Sequence, residues 1–199
     1  VSGEWEIGCV NGLAVTGTSG GVLMEIEADI SEGSGIELCG ITQQETIESG
    51  NRKLCRMSTA KASVQNAILL LYKFFHVDIR HKHVHINIPG GMPVDGPSAG
   101  TAILCALYSA ATGKPIDSHI AMTGEVSMTG KVKPVGGVYA KIGAAQNAGA
   151  EKVFIPADNW QETFAHFSVQ VVAVDRITTL MQEVFQPQTA ILGADSMMS

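Results

Sequence analysis

With 199 residues, 45% of them hydrophobic, the chain is long enough for one domain with a real core, or for one domain with a small appendage. Its net charge of −6 speaks against a nucleic-acid footprint, which needs a basic stripe. No apolar run reaches bilayer length, since the longest, around residues 67–72, is cut by Lys73. The N-terminus lacks the basic start and apolar run of a secretory signal, and the start at Val1 sets the expectation of a piece excised from a longer chain.

Residues 5–40 alternate apolar and polar positions with glycine punctuation. This predicts three or four antiparallel strands with tight turns at Asn11-Gly12 and at Ser19-Gly20-Gly21. Residues 45–51 read as a polar connector. In 54–75, Ala60, Val64, Ala67, Ile68, Leu71 and Phe75 recur at helical spacing and predict a long helix facing the core. The second half of 77–88 alternates, with Val84, Ile86 and Ile88 on one side and His81, His83 and His85 on the other. Three histidines on one strand face could hold a metal. No cysteine is near them in sequence and Asp78 would point to the opposite face, so the reading adopted is a solvated strand face without a metal.

A proline- and glycine-bound loop then leads to a helix of small residues that starts near Ser98 and stops at Gly113-Lys114-Pro115. Residues 120–128 read as a strand, 129–137 as a hairpin-like turn and 138–148 as a helix ended by Gly149. The last part alternates strand and helix. A strand KVFIP is followed by a helix over 159–167, opened by an Asn159-x-x-Glu162 capping pattern. A strand VQVVAV and a helix over 176–185 complete the alternation, which implies parallel pairing. Residues 188–199 read as a loose tail on a domain spanning 1–187. The fold class expected is mixed α/β: a mainly antiparallel N-terminal sheet, packed helices and a βαβα-like C-terminal end.

The four cysteines, Cys9, Cys39, Cys55 and Cys105, form no CxxC pair. They are expected to be buried free thiols in a reducing compartment. Only Cys55, between Lys53 and Arg56, approaches the electropositive setting that a reactive thiol needs.

Ser98 lies in Gly96-Pro97-Ser98-Ala99-Gly100. The glycines would let the chain turn sharply and let a carbonyl come close. Proline fixes the approach, and the helix start offers N–H groups and a positive dipole end to an oxyanion. The plain alternative is that Ser98 only caps the helix. A nucleophilic serine needs a base, and three schemes compete. G-x-S-x-G with Asp158 and His166 has the hydrolase order, but a whole segment separates Ser98 from the preceding strand. Ser58-Thr59-Ala60-Lys61 matches S-x-x-K, without the S-D-N and K-T-G elements that should accompany it. The third scheme is a Ser-Lys dyad with Lys141, whose helix neighbours Gly137, Val138, Ala144 and Ala145 are all small or apolar. Burial there would disfavour its ammonium form, although a snorkelling lysine with its amine in water stays open. Lys131 and Lys133 lie in a Gly/Pro turn and read as exposed.

The run PVDGPSAG, then MTGE, then GKVKPVGGVYAK resembles the proteolytic domain of the Lon protease family, and the resemblance covers about residues 5–185. It implies that Ser98 is the nucleophile and Lys141 the general base. It also implies that Thr123 positions the lysine amine, and that Asp95 either holds the lysine through an ion pair or bonds turn amides. Glu125 is implied to be structural. The activity implied is ATP-dependent proteolysis of unfolded or tagged proteins through an acyl-enzyme, with no cofactor in this domain. ATP and Mg would belong to a separate ATPase module in cis, because the chain has no G-x-x-x-x-G-K-[ST] phosphate loop. A homo-oligomeric ring, usually a hexamer, is implied. The expected location is the cytoplasm, or the mitochondrial matrix if a targeting segment has been removed. The alternatives are a Lon-like domain working without its own ATPase or kept for assembly and, less well supported, a G-x-S-x-G esterase.

Overall fold

The computed structural model describes residues 1–17, 20–40, 48–49, 52–53, 59–90 and 96–185. The expected tail, Asp95, Cys55, Ser58 and most of the 45–51 connector lie outside the described residues. In chain order the elements are β1 (Trp5–Glu6), β2 (Cys9–Thr16), β3 (Gly20–Ser31), β4 (Gly35–Cys39), β5 (Glu48–Ser49), β6 (Arg52–Lys53), α1 (Thr59–Phe75) and β7 (His83–Asn87). There follow α2 (Gly100–Thr112), β8 (Ile116–Asp117), β9 (Ile120–Met122), β10 (Glu125–Val126), β11 (Val132–Lys133), α3 (Val138–Asn147), β12 (Lys152–Pro156), β13 (Gln170–Val174) and α4 (Ile177–Val184). The architecture is mixed α/β, as expected. Its centre is a seven-stranded sheet in the order β13-β12-β9-β2-β3-β7-β4.

The N-terminal strands exist, and β2 and β3 pair antiparallel as expected, but one turn and the partner of β4 differ. Asn11-Gly12 is no turn, because both residues lie inside β2. The Asn11 amide donates to the carbonyls of Ser118 (2.7 Å) and Ile120 (3.0 Å), so its hydrogen bonds tie β2 to the β8–β9 region instead of closing a local turn. β2 and β3 form an antiparallel hairpin from Cys9↔Glu27 to Thr16↔Gly20. β4 does not continue the antiparallel run: β7 inserts between it and β3, and β4 pairs with β7 in parallel. His81 precedes β7 and is not on its face. At the other end β2, β9, β12 and β13 are all parallel, which is the pairing that the strand–helix alternation predicts.

Two further expectations change. The strand over 120–128 breaks at Thr123–Gly124, where Thr123 N–H donates to the Phe154 carbonyl (3.1 Å) and Gly124 N–H to the Ser98 carbonyl (2.9 Å). The helix over 159–167 is instead two 3-10 turns, Ala157–Asn159 and Glu162–His166. Asn159 does not cap it; its amide bridges the backbone N–H (2.8 Å) and carbonyl (2.9 Å) of Val135. α1 ends on His76 in the left-handed conformation (φ 56°), with Val77 N–H returning to the Leu71 carbonyl at 3.1 Å.

Period-two alternation buries both faces of the central strands. Met122 and Phe154 join α1, α2 and α4 in one apolar cluster. Leu13, Ala121, Val153 and Ile155 join α3 and Phe164 in a second cluster across the sheet. No helix among the described residues is long and apolar enough to cross a membrane.

Candidate active site

The site forms where β9 ends between the two helical layers, at the carboxyl end of parallel strands, the usual place for chemistry in such sheets. α2 approaches from one side and α3 from the other. Ser98 sits in the 3-10 turn Pro97–Ala99 that leads into α2, whose capping position is Ala99. Ser98 is therefore not the cap of the long helix.

The flanking glycines do not serve the sharp turn expected of them. Gly96 and Gly100 both have ordinary right-handed helical angles. What matters is the missing side chain. A Cβ on Gly96 would lie 2.4 Å from the Ala60 nitrogen, and one on Gly100 2.9 Å from Val126 Cγ2. Glycine here lets the serine turn press onto α1 and β10. Ser63 Oγ fastens it by donating to the Gly96 carbonyl at 2.8 Å.

Two N–H groups at the start of α2 are already engaged. Gly100 N–H donates to the Pro97 carbonyl and Thr101 N–H to the Gly124 carbonyl at 3.0 Å. They are not open to an oxyanion, so the α2 contribution is narrower than a bare helix start would offer.

Lys141 lies in α3 and is only 2% exposed; Ser98 is 2% and Thr123 1% exposed. Snorkelling is thus excluded: the amine does not reach water. Lys141 Nζ donates to Thr123 Oγ1 at 3.2 Å, and that hydroxyl donates to the Ser98 carbonyl at 3.4 Å. A buried hydroxyl with one donor and one acceptor partner has its proton direction fixed. α3 can come this close because β3 offers Gly21 beneath it, where a Cβ would lie 2.1 Å from the Ala140 carbonyl oxygen.

The structure brings together Ser98, Thr123 and Lys141. Asp95 lies outside the described residues. Glu125 is exposed on β10 and lines, with Thr59, Ser63, Asn66 and Gly100, a groove of about 150 Å³ beside Pro97. Asp158 and His166 are both exposed, unlike Ser98, which tells against the hydrolase triad. Lys131 and Lys133 are exposed, as expected.

The expectation of buried cysteines holds for Cys105 alone among the described thiols; Cys9 and Cys39 are partly exposed. Burial, then a hydrogen bond to Glu6 and the charges of Glu6, Glu25 and Glu27, pushes the Cys9 thiol up to about 12. Burial alone raises Cys105. Neither is a competent nucleophile near neutral pH.

A family model described as the Lon protease (S16) C-terminal proteolytic domain matches residues 1–186. The chain is 40% identical over 185 residues to Lon protease 2 of Bacillus subtilis, covering 91% of this chain and 33% of that protein. It is 35% identical over 187 residues to the Archaeal Lon protease of Archaeoglobus fulgidus, covering 92% of this chain and 29% of the relative. With the Lon protease of Finegoldia magna it shares 40% identity over 158 residues, or 78% of this chain and 19% of that one. The chain thus spans a third or less of the length of these relatives.

Proposed function

The chain belongs to the Lon protease family, as its C-terminal proteolytic domain, and on that premise we propose that it is a serine endopeptidase using Ser98 as nucleophile and Lys141 as general base. The observation that carries the reading is a lysine amine, 2% exposed as a residue, directed by the Thr123 hydroxyl at the level of the Ser98 turn.

The chemistry follows from these groups. Neutral Lys141 Nζ takes the Ser98 Oγ proton as the oxygen bonds to the substrate carbonyl carbon. The tetrahedral adduct collapses by breaking the C–N bond, and the lysine ammonium gives its proton to the departing amine. This leaves an acyl ester on Ser98. Water then attacks the ester, passing a proton to Lys141, and serine leaves as the protonated alcohol with that proton returned. Thr123 accepts one lysine N–H and so aims the nitrogen lone pair. The α2 dipole, over thirteen residues, places its positive end near the charge that develops on the carbonyl oxygen. The groove beside Pro97 is the surface offered to a substrate side chain.

The proposed substrates are unfolded or tagged proteins, and the proposed setting is a cytoplasmic homo-oligomeric ring driven by an ATPase module in cis. The test is hydrolysis of casein by the wild-type chain, Ser98→Ala and Lys141→Met. Both variants should fold normally by circular dichroism and lose about 1000-fold or more of the rate. Cleavage at the wild-type rate by either variant removes that residue from the mechanism.

A further inference from the structure

Away from the serine site, α3 lies over β2, β3 and β12. The sheet face on that side carries partly exposed polar side chains at its β4 edge. Parallel pairing of β4 with β7 sets Glu37 opposite His85 and Cys39 opposite Asn87, in one row of outward positions with His83 and His85. The donor atoms of Glu37, Cys39 and His85 all lie within 4.8 Å of one another. We propose that Glu37, Cys39 and His85 form a binding site for a zinc-type divalent cation.

The spacing is within about 1 Å of what the ion needs. Four ligands at about 2.0–2.3 Å from a tetrahedral centre stand about 3.3–3.8 Å apart. His85 Nδ1 is 3.5 Å from Glu37 Oε2, and Cys39 Sγ is 4.0 Å from Glu37 Oε1. The donor set fits as well. Thiolate, imidazole and carboxylate are the ligand types that Zn2+ accepts, and the two anionic groups balance its charge. Water fills the fourth position. His83 Nε2 lies 3.6 Å from the same Glu37 oxygen that faces His85, so it serves as an outer partner that holds the carboxylate. Asp29 on β3 stands in register with His85 from the other side and adds negative field.

An ion pair alone explains the two histidines against Glu37 but gives no reason for a thiol at the third corner. In the sequence no cysteine stands near this histidine face, and Asp78 would point to the opposite face. Strand pairing supplies a cysteine from 46 positions earlier in the chain (His85 against Cys39). A bound ion would staple the edge strand β4 to β7, whose next residue, Ile88, already donates its N–H to the Cys39 carbonyl at 3.0 Å.

The test is titration of the reduced chain with Co2+, then displacement by Zn2+. The wild-type chain should take up one equivalent with thiolate-to-cobalt charge-transfer absorption that Zn2+ abolishes. Cys39→Ser should lose that absorption, while Cys9→Ser and Cys55→Ser keep it. Because even outer-partner changes weaken metal affinity by about 10–100-fold, His85→Ala and Glu37→Gln should each weaken Zn2+ binding at least tenfold. Zn2+ should also raise the melting temperature of the wild type and not of Cys39→Ser. A wild-type spectrum without the thiolate band, or a band that survives in Cys39→Ser, overturns the assignment. None of these readouts depends on peptidase activity.

Discussion

Thr123 accepts a hydrogen bond from Lys141 and donates one to the Ser98 carbonyl, so a single hydroxyl sets where the amine points. In Thr123→Ala the buried Lys141 nitrogen loses the acceptor that aims it. Losing a hydrogen bond at a buried polar group costs about 1–3 kcal/mol, which as a barrier change is about a fivefold to 150-fold loss in kcat. Thr123→Ser keeps the oxygen and should recover most of the rate. Steady-state kinetics on a peptide substrate checks both. If alanine matches wild type, the hydroxyl is incidental. If serine fails equally, the methyl group's packing is what matters. At this scale a local motif was enough to single out Ser98 and Lys141, which lie buried on either side of Thr123. The sequence was uninformative about Cys39 and its metal-ligand neighbour His85, which meets it only through the pairing of β4 with a strand more than forty residues later.

The elements follow the same division. Helices α1, α2 and α4 were legible because their spacing is local, and Gly149 with φ 87° lies just past α3, near its predicted end. Strand partners were legible only in part: the β2–β3 hairpin and the parallel C-terminal pairing follow from local pattern, but the place of β4 beside β7 depends on which distant strand completes the sheet. Asn11 and Asn159 show why turn and cap signals failed: each amide found backbone partners 24 or more residues away and abandoned its local role. The close seating of α3 on β3 at Gly21 was equally hidden, though the lysine's position depends on it. Gly21→Ala would force a backbone shift against Ala140, the residue before Lys141. Overpacking of this kind costs about 1–3 kcal/mol, and peptidase activity should fall by more than the folded fraction does. Gly136→Ala, whose Cβ would have nothing within 4 Å, should change stability by less than about 0.5 kcal/mol. Denaturant unfolding of both variants decides. An unperturbed Gly21→Ala with full activity would mean that the seating of α3 does not set the lysine.

For the molecule as a whole, the governing fact is that this fold matches only a third or less of its relatives' length. The proposed chemistry needs an extended, accessible peptide bond, because Ser98 and Lys141 are both buried to within 2%. A folded substrate does not offer one. Opening a typical domain costs about 5–15 kcal/mol, and nothing in acyl transfer supplies that work. The sequence carries no phosphate loop, and on the function proposed above that work falls to a nucleotide-driven module outside these residues. Consequently this chain alone should hydrolyse an unstructured peptide at a rate that ATP and Mg2+ leave unchanged. It should cleave a stably folded protein no faster than that protein spontaneously unfolds. Both rates can be read with a quenched fluorescent peptide and a disulfide-locked globular substrate, each with and without nucleotide. Acceleration by ATP of either reaction, in the chain by itself, would place the motor within these residues and break the division of labour argued here.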